Sequence, residues 1–239
     1  MANTDRPTAL DAGPEANLDP DMQAYFAKCM DKLGFVPNVL RAYAFDNAKL
    51  RAFIAMADDL MLGDSGLSKL EREMIAVAVS SVNHCHYCLT AHGAAVRQRG
   101  KDPELGELIA QNYRAAELPS RQKAMLAFAV KLTETPDKVE EADREALRRA
   151  GFSDRDVWDI AAVAAFYNMS NRLAAAADIR PNREYHYLAR EPMDVIPSRA
   201  TRGAAVDDRR PAPARNPQPG GGAPARVDGR PAWGILPLS

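Results

Sequence analysis

Apolar side chains in this chain recur at steps of three and four, and this rhythm constrains its fold more than any other feature. Between residues 47 and 62 it places Leu50, Phe53, Ile54, Ala57 and Met61 on one face of a helix. Met56 and Leu60 widen that face and are expected in the core. Helix punctuation surrounds the periodic stretches. Asp19-Pro20 offers a cap and a first-turn proline, and Gly34 a stop. Ser68-Lys69-Leu70-Glu71 is a capping box that opens a helix through Met74, Ile75, Val77 and Ala78. Further helices are predicted over 86–99 and from Asp102-Pro103. Another runs from a Ser120 cap through Met125, Leu126, Phe128 and Ala129, and one over 138–150 up to Gly151. The last starts at Ser153-Asp154-Arg155-Asp156 and runs through Trp158, Ile160, Ala164 and Phe166. No stretch alternates as a strand would, so the expected fold class is all-α.

The segment Leu67-Ser68-Lys69-Leu70 through Met74-Ile75-Ala76 echoes Leu118-Pro119-Ser120-Arg121 through Met125-Leu126-Ala127. Each precedes a second apolar helix, which suggests two related helical units within one domain of residues 19–190. Residues 1–18 are polar or small, with Pro7 and Pro14, and are expected to be a flexible N-terminus. Residues 191–239 hold nine of the 17 prolines and six of the 14 glycines. Such a composition cannot bury enough apolar surface to offset the entropy of ordering, so this Pro/Gly/Arg-rich tail is expected to be disordered.

A formal net charge of −1 gives no reason to expect nucleic acid or a membrane surface as partner. No apolar run approaches the roughly 20 residues that span a bilayer. The first residues, Met1-Ala2-Asn3-Thr4-Asp5-Arg6, lack the apolar stretch of a signal peptide. Three cysteines in 239 residues do not make a disulfide scaffold, so a cytoplasmic, reducing setting is expected.

The chemistry is concentrated in Asn83-His84-Cys85-His86-Tyr87-Cys88-Leu89-Thr90-Ala91-His92, which holds two of the three cysteines and three of the four histidines. Two thiols three positions apart can close a disulfide. With Cys85 at a helix start and Cys88 in the first turn, unpaired amides and the helix dipole favour a thiolate. His92 lies four residues after Cys88, on the same helical face, and can accept its proton. Glu73 lies one helix back, where a carboxylate can complete a proton relay. A thiolate attacking a peroxide gives a sulfenic acid, and the second cysteine condenses with it to a disulfide. A separate reductant then restores the dithiol.

The same residues admit other readings. Cys85, Cys88, His92 and either His84 or His86 can supply four zinc ligands, although structural zinc sites normally draw a second ligand pair from elsewhere in the chain. A c-type haem site needs histidine directly after the second cysteine, where Leu89 stands. A dithiol–disulfide exchange or redox-sensing protein would use the same cysteines without efficient peroxide turnover. Outside the window, Cys29 is expected to be a buried structural thiol and His186 a surface residue. Asn168 and Asn171, on an apolar helix, are expected to cap or bond between helices.

The pattern Glu73-x11-Cys85-x2-Cys88-x3-His92 resembles the AhpD-like (alkyl hydroperoxidase D) group of the carboxymuconolactone decarboxylase-like superfamily. The segments Gly34-Phe35-Val36-Pro37-Asn38, Gly63-Asp64-Ser65-Gly66-Leu67-Ser68 and Ala164-Ala165-Phe166-Tyr167-Asn168 are similar to its peroxidase-related branch. The resemblance implies an all-helical fold, assembly into homo-oligomers (trimers or hexamers) and peroxidase activity on organic hydroperoxides without a bound cofactor. It also implies a thiol or lipoyl-type reductant. By it, Cys88 is the peroxidatic thiol, Cys85 the resolving thiol, and Glu73 and His92 the relay. Tyr87 stands where well-studied members carry histidine.

Overall fold

A computed structural model of the chain describes residues 6–13 and 15–190, and these form helices joined by short turns, with no strand among the described residues. The expected tail at 191–239 and residues 1–5 lie outside the described residues. In order, the α-helices are α1 (Pro20–Leu33), α2 (Asn38–Tyr43), α3 (Asn47–Leu62), α4 (Lys69–Val82), α5 (His86–Gly100), α6 (Leu105–Asn112), α7 (Ser120–Glu134), α8 (Glu141–Arg149) and α9 (Asp154–Ala177). Three single-turn 3-10 segments lie at Tyr113–Ala115, Pro136–Lys138 and Arg183–His186.

The cap chemistry accounts for most boundaries. Ser68 and Glu71 close a reciprocal capping box on α4, and Ser153 and Asp156 do the same on α9. Each box satisfies two otherwise orphaned backbone donors. Gly34 ends α1 at φ 79°, a left-handed conformation that glycine adopts without steric cost. Two expected caps are absent. The Asp19 side chain makes no cap bond and instead pairs with Arg51, at 2.7 Å. Ser120 is the first residue of α7, with Pro119 in the cap position. The 138–150 expectation resolves into a 3-10 turn and the shorter α8, which Glu140 caps.

The central element is α4. Every residue from Glu71 to Ser80 is buried. The helix packs against α5, α6, α7 and α9, so its apolar residues fill the core from several sides. Met74, Ile75, Val77 and Val79 are fully buried, and each such side chain contributes about 1.5–3 kcal/mol of hydrophobic stabilisation. The two echoing segments become α4 and α7, which pack on each other and on α9. Met56 departs from expectation: it is 49% exposed, because α3 buries another face against the core. Trp158 of α9 is 71% exposed. Part of the stretch expected to be flexible is hydrogen-bonded to the helical body: Ala9 N–H donates to Ala177 (2.9 Å), Arg180 N–H to Pro7 (3.1 Å) and Ala16 N–H to Ala44 (2.8 Å). No helix among the described residues is long and apolar enough to cross a membrane.

Candidate active site

A tight α4–α5 turn builds the site. Asn83 caps the end of α4, His84 takes a left-handed backbone (φ 52°), and Cys85 N–H donates to Ser80 O at 2.9 Å. A non-glycine residue in that region is uncommon and is tolerated where surrounding structure fixes it. The reversal folds α5 back along α4. It sets Cys85 at the helix N-cap and Cys88 in the first turn, beside Ser80 of the preceding helix.

Both cysteines are reduced and buried, Cys85 at 4% and Cys88 at 1% exposure. Interaction with the Cys88 side chain is the main reason that the Cys85 pKa falls to about 6 despite burial. The backbone amides of Cys88 and Tyr87 also favour the Cys85 thiolate, although its sulfur makes no cap hydrogen bond of ordinary geometry. Interaction with the Cys85 side chain and then burial push Cys88 well above the usual thiol range. Ser80 and Asn171 lie beside the Cys88 sulfur and partly oppose that rise. Of the two thiols, Cys85 is the one whose pKa is lowered and Cys88 the one whose pKa is raised.

Behind the thiols, Glu73 of α4 and His92 of α5 form a buried pair. His92 Nδ1 is 2.7 Å from Glu73 Oε2, and the Glu73 side chain is 1% exposed. Tyr167 of α9 packs edge-on against the His92 ring, 4.7 Å between centroids, with its hydroxyl 3.4 Å from Nδ1. Burial, reinforced by the Glu73 charge, raises the Tyr167 pKa and keeps it neutral. A cavity of about 40 Å³ opens on Glu73 and His92, walled by Leu33, Val39, Ala91 and Leu188. That is room for one or two waters. Neither Cys85 nor Cys88 lines it.

Tyr87, where histidine was the expected family residue, is an anchor. Its hydroxyl accepts the Val39 amide of α2 at 3.2 Å and donates to the Tyr185 hydroxyl. Tyr185 packs edge-on against Phe35. The position therefore ties the thiol helix to α2 and to the Arg183–His186 turn.

All four residues singled out from sequence (Glu73, Cys85, Cys88 and His92) fall in this one buried region. His84 and His86 are exposed. Among the described residues no group of three or more histidine, cysteine and carboxylate side chains is arranged to hold a metal ion. Cys29 is fully buried, and burial pushes its thiol up to about 12, as a structural cysteine requires. His186 is exposed.

Asn168 and Asn171 bond between helices, and through a longer network than expected. Asn83 Nδ2 donates to Oδ1 of both, at 3.0 Å each. Asn171 Nδ2 in turn donates to Ser80 Oγ at 3.0 Å, and Asn168 Nδ2 to Thr133 Oγ1 at 2.9 Å. Sequence reasoning did not connect Ser80 or Asn171 with Cys88, nor Tyr167 with His92. A polar residue on an otherwise apolar helix was the only available signal, and it was present only for Asn171.

An all-helical body that seats a buried dithiol against a Glu–His pair defines a class of thiol-bearing helical proteins. The model of the carboxymuconolactone decarboxylase family matches residues 48–129, a span that includes all four site residues. A solved structure of an uncharacterized peroxidase-related protein from Silicibacter sp. TM1040 is 58% identical. That match covers 80% of this chain and 100% of that one, with a TM-score of 0.76. An AhpD-core peroxidase-related protein from Ralstonia eutropha JMP134 is 46% identical, over 78% of this chain and 98% of that one, with a TM-score of 0.74. Among curated proteins, the alkyl hydroperoxide reductase AhpD of Rhodococcus erythropolis is 40% identical over 45 residues, which span 19% of this chain and 25% of that relative. The chain belongs to the carboxymuconolactone decarboxylase family, within its AhpD-like, peroxidase-related group.

Proposed function

We propose that the protein is a thiol-dependent peroxidase that reduces organic hydroperoxides through a Cys85–Cys88 dithiol/disulfide cycle. The observation that carries this reading is the buried Cys85–Cys88 pair at the start of α5, with the hydrogen-bonded Glu73–His92 pair behind it. Cys88 passes its proton to Cys85 along their hydrogen bond and attacks the terminal peroxide oxygen. The O–O bond breaks, and sulfur keeps the hydroxyl as a sulfenic acid. The departing alkoxide takes the proton that Cys88 gave up, handed on by His92, whose ring Glu73 orients. Cys85, again a thiolate, then displaces hydroxide from the Cys88 sulfenic acid to form the disulfide. Solvent protonates that hydroxide to water. A dithiol reductant of thiol or lipoyl type supplies two electrons and two protons by exchange and restores the pair.

The depressed pKa of Cys85 favours a second assignment, in which Cys85 attacks and Cys88 resolves. Stopped-flow reaction of the reduced protein with cumene hydroperoxide, with trapping of sulfenic acid in Cys85→Ser and Cys88→Ser, separates the two. Under the first assignment Cys85→Ser accumulates sulfenic acid and Cys88→Ser does not react. The reverse pattern assigns the attack to Cys85. Wild-type protein that exchanges disulfides but leaves the peroxide intact overturns the peroxidase reading in favour of a dithiol-exchange or redox-sensing protein.

A further inference from the structure

The last turn of α5 carries the basic residues Arg97 and Arg99, whose charges complement the helix dipole. Neither is exposed. The Arg97 side chain is 5% exposed and donates to the Tyr185 and Leu188 carbonyls. The Arg99 side chain is 4% exposed, and its Nε and Nη2 have no hydrogen-bond acceptor among the described residues. Its nearest charge is Glu73: Arg99 Nε lies 3.7 Å from Glu73 Oε1, while Oε2 of the same carboxylate meets His92. Arg99 follows His92 by seven residues, two turns along the same face of α5. One buried carboxylate is therefore shared between two cationic or potentially cationic partners, one oxygen to each.

Burying a guanidinium is costly unless a carboxylate compensates it. At 3.7 Å the contact exceeds hydrogen-bonding length, so Arg99 acts on Glu73 through charge. The other groups around the pair do not replace it. Arg72, beside Arg99, spends its guanidinium on the carbonyls of Leu60, Gly63 and Leu67. Tyr167 of α9 and Tyr185 of the Arg183–His186 turn face Glu73 with hydroxyls that burial holds neutral. Cys85 faces His92 from the start of α5, and its pKa is lowered.

We propose that Arg99 is a positioning residue that holds Glu73 as a carboxylate and keeps the His92 ring neutral, with Nδ1–H donated to Glu73 and the lone pair on Nε2. Once the arginine compensates the carboxylate, an imidazolium has little left to gain from it. His92 then stands ready to accept a proton at Nε2. This inference rests on the reading of Glu73–His92 as a proton relay, but its test needs no peroxide, so the two can fail separately.

The test is nitrogen NMR of histidine-labelled, reduced protein across a pH series, with the His92 signals assigned by comparison with His92→Gln. Wild-type protein at neutral pH is expected to show His92 protonated at Nδ1 alone. Arg99→Met leaves Glu73 with His92 as its sole cationic partner, and the His92 titration is expected to move up by about 1 pH unit. Arg99→Lys restores the charge and is expected to return the titration toward wild type. A folded Arg99→Met whose His92 titration overlies wild type overturns the proposal and leaves Arg99 a structural filler. If Arg99→Met does not fold, the wild-type measurement decides: a doubly protonated His92 ring at neutral pH overturns the proposal, and a ring protonated at Nδ1 alone upholds it.

Discussion

Glu73 Oε2 and His92 Nδ1 lie 2.7 Å apart although 19 residues and a helix reversal separate them. A contact this short between two buried groups on neighbouring helices fixes the imidazole in one orientation. The other oxygen of the same carboxylate faces the Arg99 guanidinium at 3.7 Å. Replacing Glu73 with glutamine keeps the shape and removes the charge. Glu73→Gln is expected to slow peroxide turnover by about a hundredfold. It is also expected to destabilise the fold by about 3 kcal/mol, because Arg99 is left buried without a counter-charge. Steady-state peroxidase assays and urea denaturation measure the two effects, and full retained activity would remove Glu73 from the relay.

The thiol pair is expected to ionise in two widely separated steps. Thiolate ultraviolet absorbance should show one thiolate appearing near pH 6 and the second only well above the ordinary thiol range. In the unfolded chain both thiols lose their protons at about 8.5. Between about 6 and 8.5 the native protein thus binds fewer protons than the unfolded one, and reduced protein gains stability as pH rises. That contribution is lost as pH falls through 6. Above about 8.5 the retained Cys88 proton reverses the slope. Cys88→Ala should raise the Cys85 midpoint, since the Cys88 side chain is the largest cause of its depression.

Asn171 joins Ser80 to Asn83 and stands beside the Cys88 sulfur. Asn171→Ala strands buried partners on both sides and should cost about 1–3 kcal/mol. It should also slow Cys88 alkylation in a Cys85→Ser background, because a group that favours the thiolate is gone. Thermal denaturation and alkylation kinetics check the two arms. Unchanged alkylation would limit Asn171 to structure.

Tyr87→Phe separates anchoring from chemistry. It deletes the hydroxyl that accepts the Val39 amide and donates to Tyr185, leaving a buried N–H unpaired at a cost of about 1–3 kcal/mol. The Tm should fall by about 2–4 °C per kcal/mol in a domain of this size. The rate of the first peroxide reaction should stay within about twofold of wild type, on the scale where a lost proton-transfer group costs a hundredfold or more. A hundredfold loss in folded protein would return Tyr87 to the relay.

Much of the fold was legible because its signals are local. The capping boxes at Ser68 and Ser153 and the glycine stop at Gly34 act over three or four residues, and the structure places each as read. The six-residue α2 was not predicted, being too short to show a helical period. Met56 was misplaced because spacing gives the width of an apolar face but not how much of it a neighbour covers. At the site, the Cys85, Cys88 and His92 arrangement follows from one helix and could be read directly. The approach of Glu73 needed the reversal at His84, and the roles of Ser80, Asn171 and Tyr167 needed α9 packed on α4. The burial that brings the Cys85 and Cys88 side chains to act on each other has no sequence signature.

The Tyr87 hydroxyl joins the thiol helix to Val39 near one end of the described chain and to Tyr185 near the other. Both contacts lie outside residues 48–129, the span that matches the family. The ten-residue thiol window is therefore not a portable cassette. Grafted into another helical hairpin, or kept in a chain trimmed to the matched span, it would retain its two sulfurs and its histidine. It would lose the clasp that seats them.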